Sequence, residues 1–177
     1  MNKNVFLFAP PLFINKVRRI VPRFVPYLLL SAATHLKKSG YEVKVYDAFL
    51  ENASLSDLKQ VIGSSNPALI VLFPADVTRF PPVEVDIELI KMLKVNFPDI
   101  PLVVAGLGNE LVIDKLIKAS PGIDYLILGD SEESIVELAN GIVNNNQPVN
   151  MPGVFAKSGG KDYIEYGQPV IMGIWID

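Results

Sequence analysis

The chain contains no cysteine. Disulfides, thiolate zinc centres and iron–sulfur clusters held by these residues are therefore excluded. It has one histidine, His35, which excludes a multi-histidine metal site. No apolar run approaches the roughly 20 residues needed to cross a bilayer. A leader is also missing from the pattern: Val5 to Ala9 is apolar, but Pro10-Pro11 ends it and no small-residue cleavage site follows. Charge of one sign is lacking too. The formal net charge of −3 argues against a nucleic-acid binder, which needs many phosphate contacts. There is no internal repeat and no low-complexity tract. These absences lead to the expectation of a soluble, cytoplasmic protein with no membrane and no nucleic-acid partner.

What is present is apolar and regularly spaced. Half of the 177 residues are hydrophobic, enough to bury a substantial core in one generous domain. Short apolar runs at Val5–Ala9, Val43–Tyr46, Ala68–Phe73, Leu102–Val104 and Tyr125–Leu128 predict five strands buried on both faces. Between them lie stretches with helical spacing. Leu29, Ala32, Ala33 and Leu36 recur at i, i+3, i+4 and i+7, with Gly40 as the stop. Leu55, Leu58, Val61 and Ile62 mark a second helix capped by Ser54. Leu89, Ile90, Leu93 and Phe97 mark a third, Val112, Ile113, Leu116 and Ile117 a fourth. Ile135, Leu138, Ala139, Ile142 and Val143 mark a fifth, with Ser131 as its cap.

Strict alternation of strand and helix predicts an α/β fold: a flavodoxin-like three-layer sandwich with a five-stranded parallel sheet in the order 2-1-3-4-5. After the polar break at residues 144–148, Val154–Ala156 and Tyr163–Tyr166 flank a Gly-Gly turn and read as a C-terminal β-hairpin. Residues 1–146 are expected to form the main domain, and 147–177 a hairpin appendage with an apolar tail. The long connection from Pro10 to Pro26 carries Lys16, Arg18, Arg19 and Arg23, which either attract an anion or are simply solvated.

Function in such a sheet belongs outside the carboxyl ends of the strands. Two glycine-bearing turns fall there, Ala105-Gly106-Leu107-Gly108-Asn109 and Gly129-Asp130-Ser131-Glu132-Glu133. Gly106 and Gly108 either admit a ligand close to backbone or only tighten a turn. Asp130, Glu132 and Glu133 are either catalytic carboxylates or partners of the helix dipole. Asp76, Thr78 and Arg79 follow the third strand, beside the switch point. Asp47 ends the second strand and either accepts from a ligand or caps. His35 falls on the polar flank of its helix, away from the rim. Pro10-Pro11 supply no N–H donors, which argues against a phosphate-cradling or dinucleotide loop. Ala9 and Phe73 stand where a phosphoacceptor receiver would need acidic residues, and no nucleophile–base pair is recognisable.

Taken in order, Ala9-Pro10-Pro11, the run from Pro26-Tyr27-Leu28-Leu29 to Tyr41-Glu42-Val43, Tyr46-Asp47-Ala48, Ala105-Gly106, Asp124-Tyr125 and Gly129-Asp130-Ser131-Glu132 resemble a known group. It is the N-terminal cobalamin-binding domain of radical SAM enzymes of the magnesium-protoporphyrin monomethyl ester cyclase-like group. The resemblance covers about residues 4 to 156. It implies a module that holds cobalamin against the rim, with its nucleotide tail in a slot beside the sheet. Contacts would fall on Pro11, on Pro74, Ala75, Asp76, Val77 and Thr78, on Gly106, Leu107, Gly108 and Asn109, and on Gly129, Asp130, Ser131 and Glu132. The Asp-x-His-x-x-Gly motif is absent, so the resemblance implies no histidine ligand to cobalt from this chain.

Phe73 stands where that group often has a small polar residue, and would fill the tail slot. Ala105 replaces the first of its usual glycine pair. The group's three-cysteine motif does not occur here. The expectation is therefore a non-catalytic N-terminal part of a radical SAM methyltransferase or cyclase-like enzyme. The iron–sulfur cluster and S-adenosylmethionine would belong to a separate radical SAM domain, in cis or on a partner protein. The alternative is a cofactor-free docking or scaffold domain that retains the fold.

Overall fold

Val5 to Ala9 cannot form an amphipathic helix, because every position is apolar. They form the centre of a sheet covered on both faces instead. In a computed structural model this strand, β1 (Asn4–Ala9), is flanked on both sides by parallel neighbours. The structure describes residues 2–11, 13–14, 17–18, 25–74, 84–107, 113, 116–118, 120, 122–146, 151, 153–158 and 162–165. Its strands are β1, β2 (Phe13–Ile14), β3 (Val17–Arg18), β4 (Glu42–Asp47), β5 (Leu69–Leu72), β6 (Leu102–Leu107), β7 (Tyr125–Leu128), β8 (Val154–Ser158) and β9 (Asp162–Glu165). Its helices are α1 (Tyr27–Lys38), α2 (Leu55–Ser65), α3 (Glu84–Asn96) and α4 (Glu132–Val143).

The main sheet runs β4-β1-β5-β6-β7-β8-β9. Its five parallel strands take the order expected from the sequence. The strand count does not: the sheet has seven strands, because β8 pairs antiparallel with β7 and carries β9 outward. The hairpin thus extends the sheet. Between β1 and α1, where a plain connection is expected, β2 and β3 pair as a two-stranded antiparallel ribbon lying against α3. Among the described residues no helix is long and apolar enough to cross a membrane.

Side chains alternate between two cores, as the period of two in a strand requires. Phe6 and Phe8, Ile70 and Leu72, Leu102 and Val104, and Leu126 face α2 and α3. Val5, Leu7 and Ala9, Leu69, Val71 and Phe73, Val103 and Ala105, and Ile127 face α1 and α4. Helix α1 buries the stripe read from its sequence, Leu29, Ala32, Ala33 and Leu36. It ends in a Schellman turn: Gly40 at φ +83° lets its own N–H reach Lys37 O and the Tyr41 N–H reach Leu36 O. The Tyr41 hydroxyl then donates to Asn140 Oδ1 at 2.6 Å, tying the end of α1 to α4. Burial pushes the Tyr41 phenol above its ordinary pKa.

The amino edge of the sheet is locked by one charged clamp. Lys94 Nζ donates to Pro98 O (3.0 Å), Ile100 O (3.2 Å) and Asp124 Oδ2 (2.9 Å). Asp124 Oδ2 also accepts from the Leu102 N–H at 2.8 Å. One side chain of α3 therefore fixes the starts of β6 and β7 together.

Candidate functional site

The carboxyl ends of β1, β4, β5, β6 and β7 meet the beginnings of α1, α2 and α4 along one rim. Its floor is mostly apolar and closed. Pro10 and Pro11, which follow β1, are buried. Asp47, at the end of β4, turns back on its own chain: Oδ1 accepts from the Phe49 N–H (3.1 Å) and the Leu50 N–H (3.0 Å). Of its two readings, capping is the one seen. His35 is half-buried and pairs through Nδ1 with Ser31 O within α1, away from the rim.

Strand β6 runs further than its sequence suggests. Ala105, Gly106 and Leu107 belong to the strand rather than to a turn after it. They do so through an irregularity: Val104 pairs with Leu126 and Leu107 with Leu128, so two residues oppose Ile127 alone. That is a β-bulge, and Gly106 at φ +76° is the residue that permits it. The bulge turns Leu107 into the α2/α3 core, where it is fully buried. Only its backbone faces the rim; its carbonyl accepts from the Gly129 N–H at 2.8 Å.

The space beside Gly106 is full. A methyl group built on it would lie 3.1 Å from Leu28 Cδ1 and 3.5 Å from Phe73 Cδ1. Phe73 is only 5% exposed and extends β5 by donating its N–H to Phe8 O at 2.9 Å. The absence of a side chain at Gly106 therefore makes room for the protein's own Leu28 and Phe73.

Ser131 differs from the expected cap. It occupies the N-cap position of α4, but its backbone sits at φ −104°, ψ 1° and its hydroxyl makes no capping bond. A capping side chain needs an extended backbone to reach the N2 or N3 amide. Ser54 has that geometry, at φ −81°, ψ 168°. Its Oγ accepts from the Asp57 N–H, and the Asp57 carboxylate accepts from the Ser54 N–H in return. The Ser54 hydroxyl and amide hold the Asp57 carboxyl below its ordinary pKa of 3.8. Ser131 is fully buried instead, and its Oγ has no hydrogen-bond partner. A buried hydroxyl without a partner costs about 1–3 kcal/mol, so its place at the rim calls for an explanation.

The residues flanking Ser131 reach solvent. Gly129 (φ +73°) and Asp130 are exposed, and Glu132 is half-buried in the first turn of α4. Glu132 and Glu133 lie where carboxylates complement a helix dipole. Pro74 is half-buried at the end of β5. Ala75, Asp76, Val77, Thr78, Arg79, Gly108 and Asn109 lie outside the described residues, as do Lys16, Arg19 and Arg23 of the basic loop and the apolar tail. Among the described residues no group of three His, Cys, Asp or Glu side chains could hold a metal ion. The structure thus brings together Pro11, Pro74, Gly106, Gly129 and Ser131 along one edge. Sequence reading missed that Ser131 is orphaned, because residue type gives the cap but not the backbone angle.

No protein-family model matches the chain. Over 171 residues it is 22% identical to a protein of Pyrococcus horikoshii named an uncharacterized methyltransferase, covering 96% of this chain and 36% of that protein. Solved structures share its fold, two of them as follows. The radical S-adenosylmethionine methyltransferase TsrM of Kitasatospora setae, with cobalamin and a 4Fe-4S cluster bound, matches at a TM-score of 0.71 and 20% identity, over 98% of this chain and 30% of TsrM. The cobalamin-dependent S-adenosylmethionine radical enzyme OxsB, with aqua-cobalamin and S-adenosylmethionine bound, matches at 0.69 and 12% identity, over 96% of this chain and 23% of OxsB. The chain spans about a quarter to a third of the length of these relatives. At these identities the likeness shows a shared fold.

Proposed function

We propose that this chain is a cobalamin-binding domain of a radical SAM methyltransferase or cyclase-like enzyme. The ring would lie across the carboxyl rim between Pro11, Pro74–Thr78, Gly106–Asn109 and Gly129–Glu132. The iron–sulfur cluster and S-adenosylmethionine belong to a separate domain, in cis or on a partner protein. The observation that carries this reading is Ser131: a fully buried hydroxyl with no partner among the described residues, beside the exposed backbone of Gly129 and Asp130. A corrin ring rimmed with amide side chains is rich in groups that would satisfy it. Likeness to TsrM and OxsB supports the choice of ligand.

When bound, cobalamin supplies a cobalt centre able to carry a methyl group. This chain's own residues do simpler work. Ser131 would donate to or accept from the ring's periphery, and Gly129 would let the ring approach the main chain. The exposed backbone of Gly129 and Asp130 would admit the ring, whereas beside Gly106 Leu28 and Phe73 already fill the space. Incubation with hydroxocobalamin followed by gel filtration tests the reading. A red complex with about one equivalent retained is the expected result. Colourless protein would favour the cofactor-free docking domain.

A further inference from the structure

The misfit beside Gly106 carries a consequence of its own, which rests on the cobalamin reading. A planar aromatic group slipped between a helix and a sheet needs ordinary carbon contact on both faces, roughly 7 Å between the walls. At the start of α1 no such gap exists. The position of an ideal Gly106 Cβ is already in contact with Leu28 Cδ1 at 3.1 Å and with the Phe73 ring at 3.5 and 3.9 Å. The layer beneath is sealed as well. Phe73 and Ala105 pack with Leu29 and Ala32 of α1 in the same core, with Ala105 and Ala32 fully buried.

Nor is Phe73 loosely placed. Its backbone is held by the hydrogen bond to Phe8 O, so the ring enters the cleft from a fixed strand position. The bulge at Ala105–Gly106 completes the arrangement. It turns the backbone so that the side lacking a Cβ meets Leu28 and Phe73.

We propose that Phe73 and Leu28 plug the cleft between α1 and the ends of β5 and β6, so that the domain recognises a corrinoid by its ring alone and leaves the nucleotide tail outside. The ligand class therefore widens. Incomplete corrinoids without the lower nucleotide should bind as well as complete ones, because the tail makes no contact that its loss could remove.

Titration of the full 177-residue chain with aquocobinamide, which lacks the nucleotide, and with hydroxocobalamin tests this, read by the corrin absorption bands and by equilibrium dialysis. The expected dissociation constants agree within about threefold. In Phe73→Ala, and in Leu28→Ala, which trims a half-buried side chain and disturbs the core less, hydroxocobalamin should gain about tenfold, equal to about 1.4 kcal/mol. Cobinamide should stay within about threefold in both variants. A wild-type preference for hydroxocobalamin of tenfold or more overturns the plug while leaving the cobalamin reading intact. So does the absence of any gain in a folded Leu28→Ala or Phe73→Ala protein. Binding of neither corrinoid overturns both the plug and the proposed function.

Discussion

Two glycines at opposite edges of the sheet have the space of their missing side chain taken by a neighbour, and the neighbours differ in kind. At the amino edge a methyl group on Gly122 would lie 2.8 Å from Lys94 Cγ. That lysine is pinned by three oxygens, Pro98 O, Ile100 O and Asp124 Oδ2. At the carboxyl edge the space beside Gly106 is taken by the apolar side chains of Leu28 and Phe73, which make no hydrogen bonds of their own. Directional charged bonds fix a geometry; apolar contact only fills a volume. The amino edge is therefore built for rigidity, and the carboxyl edge is where a change of side chain alters what can enter. A second pair repeats the lesson between two helix starts: Ser54 is satisfied by Asp57, and Ser131 by none of the described residues.

The largest expected effect breaks the amino clamp. Lys94→Met keeps the apolar stem beside Gly122 but removes three hydrogen bonds and leaves Asp124 with the Leu102 amide alone. It should cost about 2 kcal/mol in urea unfolding, with corrinoid affinity unchanged. A loss of affinity equal to that of a rim variant would mean that the two edges are not separate.

Next in size is Ser54→Ala, expected to cost about 1 kcal/mol near neutral pH. Here the sign with acid is fixed by Asp57, whose pKa is lowered by the Ser54 hydroxyl and amide. A depressed carboxylate stabilises the fold above its ordinary value of 3.8, and that contribution is lost as pH falls through the lowered folded value. Unfolding curves for wild type and variant should therefore converge on acidification through this window. A constant difference at all pH would contradict the capping box.

The smallest effect on stability, and the sharpest contrast with Ser54, comes from Ser131→Ala. Removing a buried hydroxyl with no partner should leave the free protein as stable or up to about 1 kcal/mol more so. The same change should weaken corrinoid binding several-fold. Destabilisation of the free protein by the amount seen for Ser54→Ala would show that Ser131 has a structural partner after all.

The architecture was legible because each of its signals is local. Runs such as Val5–Ala9 and Tyr125–Leu128 announce doubly covered strands, and the stripe Leu29, Ala32, Ala33, Leu36 announces the face of α1. What stayed hidden depends on backbone angles or on pairing between distant segments. Nothing in Ala105-Gly106-Leu107 reveals that the strand continues through a bulge, because small residues and glycine look like a turn. Ser54 and Ser131 look alike in sequence, and only ψ separates a capping hydroxyl from an orphaned one. The hairpin signal allows an appendage or an edge, but it does not say that β8 pairs with β7. Phe73 was legible as a bulky residue at a strand end; that Gly106 and Leu28 close around it required the fold.

The most direct test of the account is a crystal structure of this chain grown with a corrinoid. The expected result is ring density across the carboxyl rim, within hydrogen-bond distance of Ser131 Oγ, with the Phe73 ring still packed on Gly106. A corrin bound elsewhere, or one whose nucleotide has displaced Phe73 and lies under α1, would contradict it.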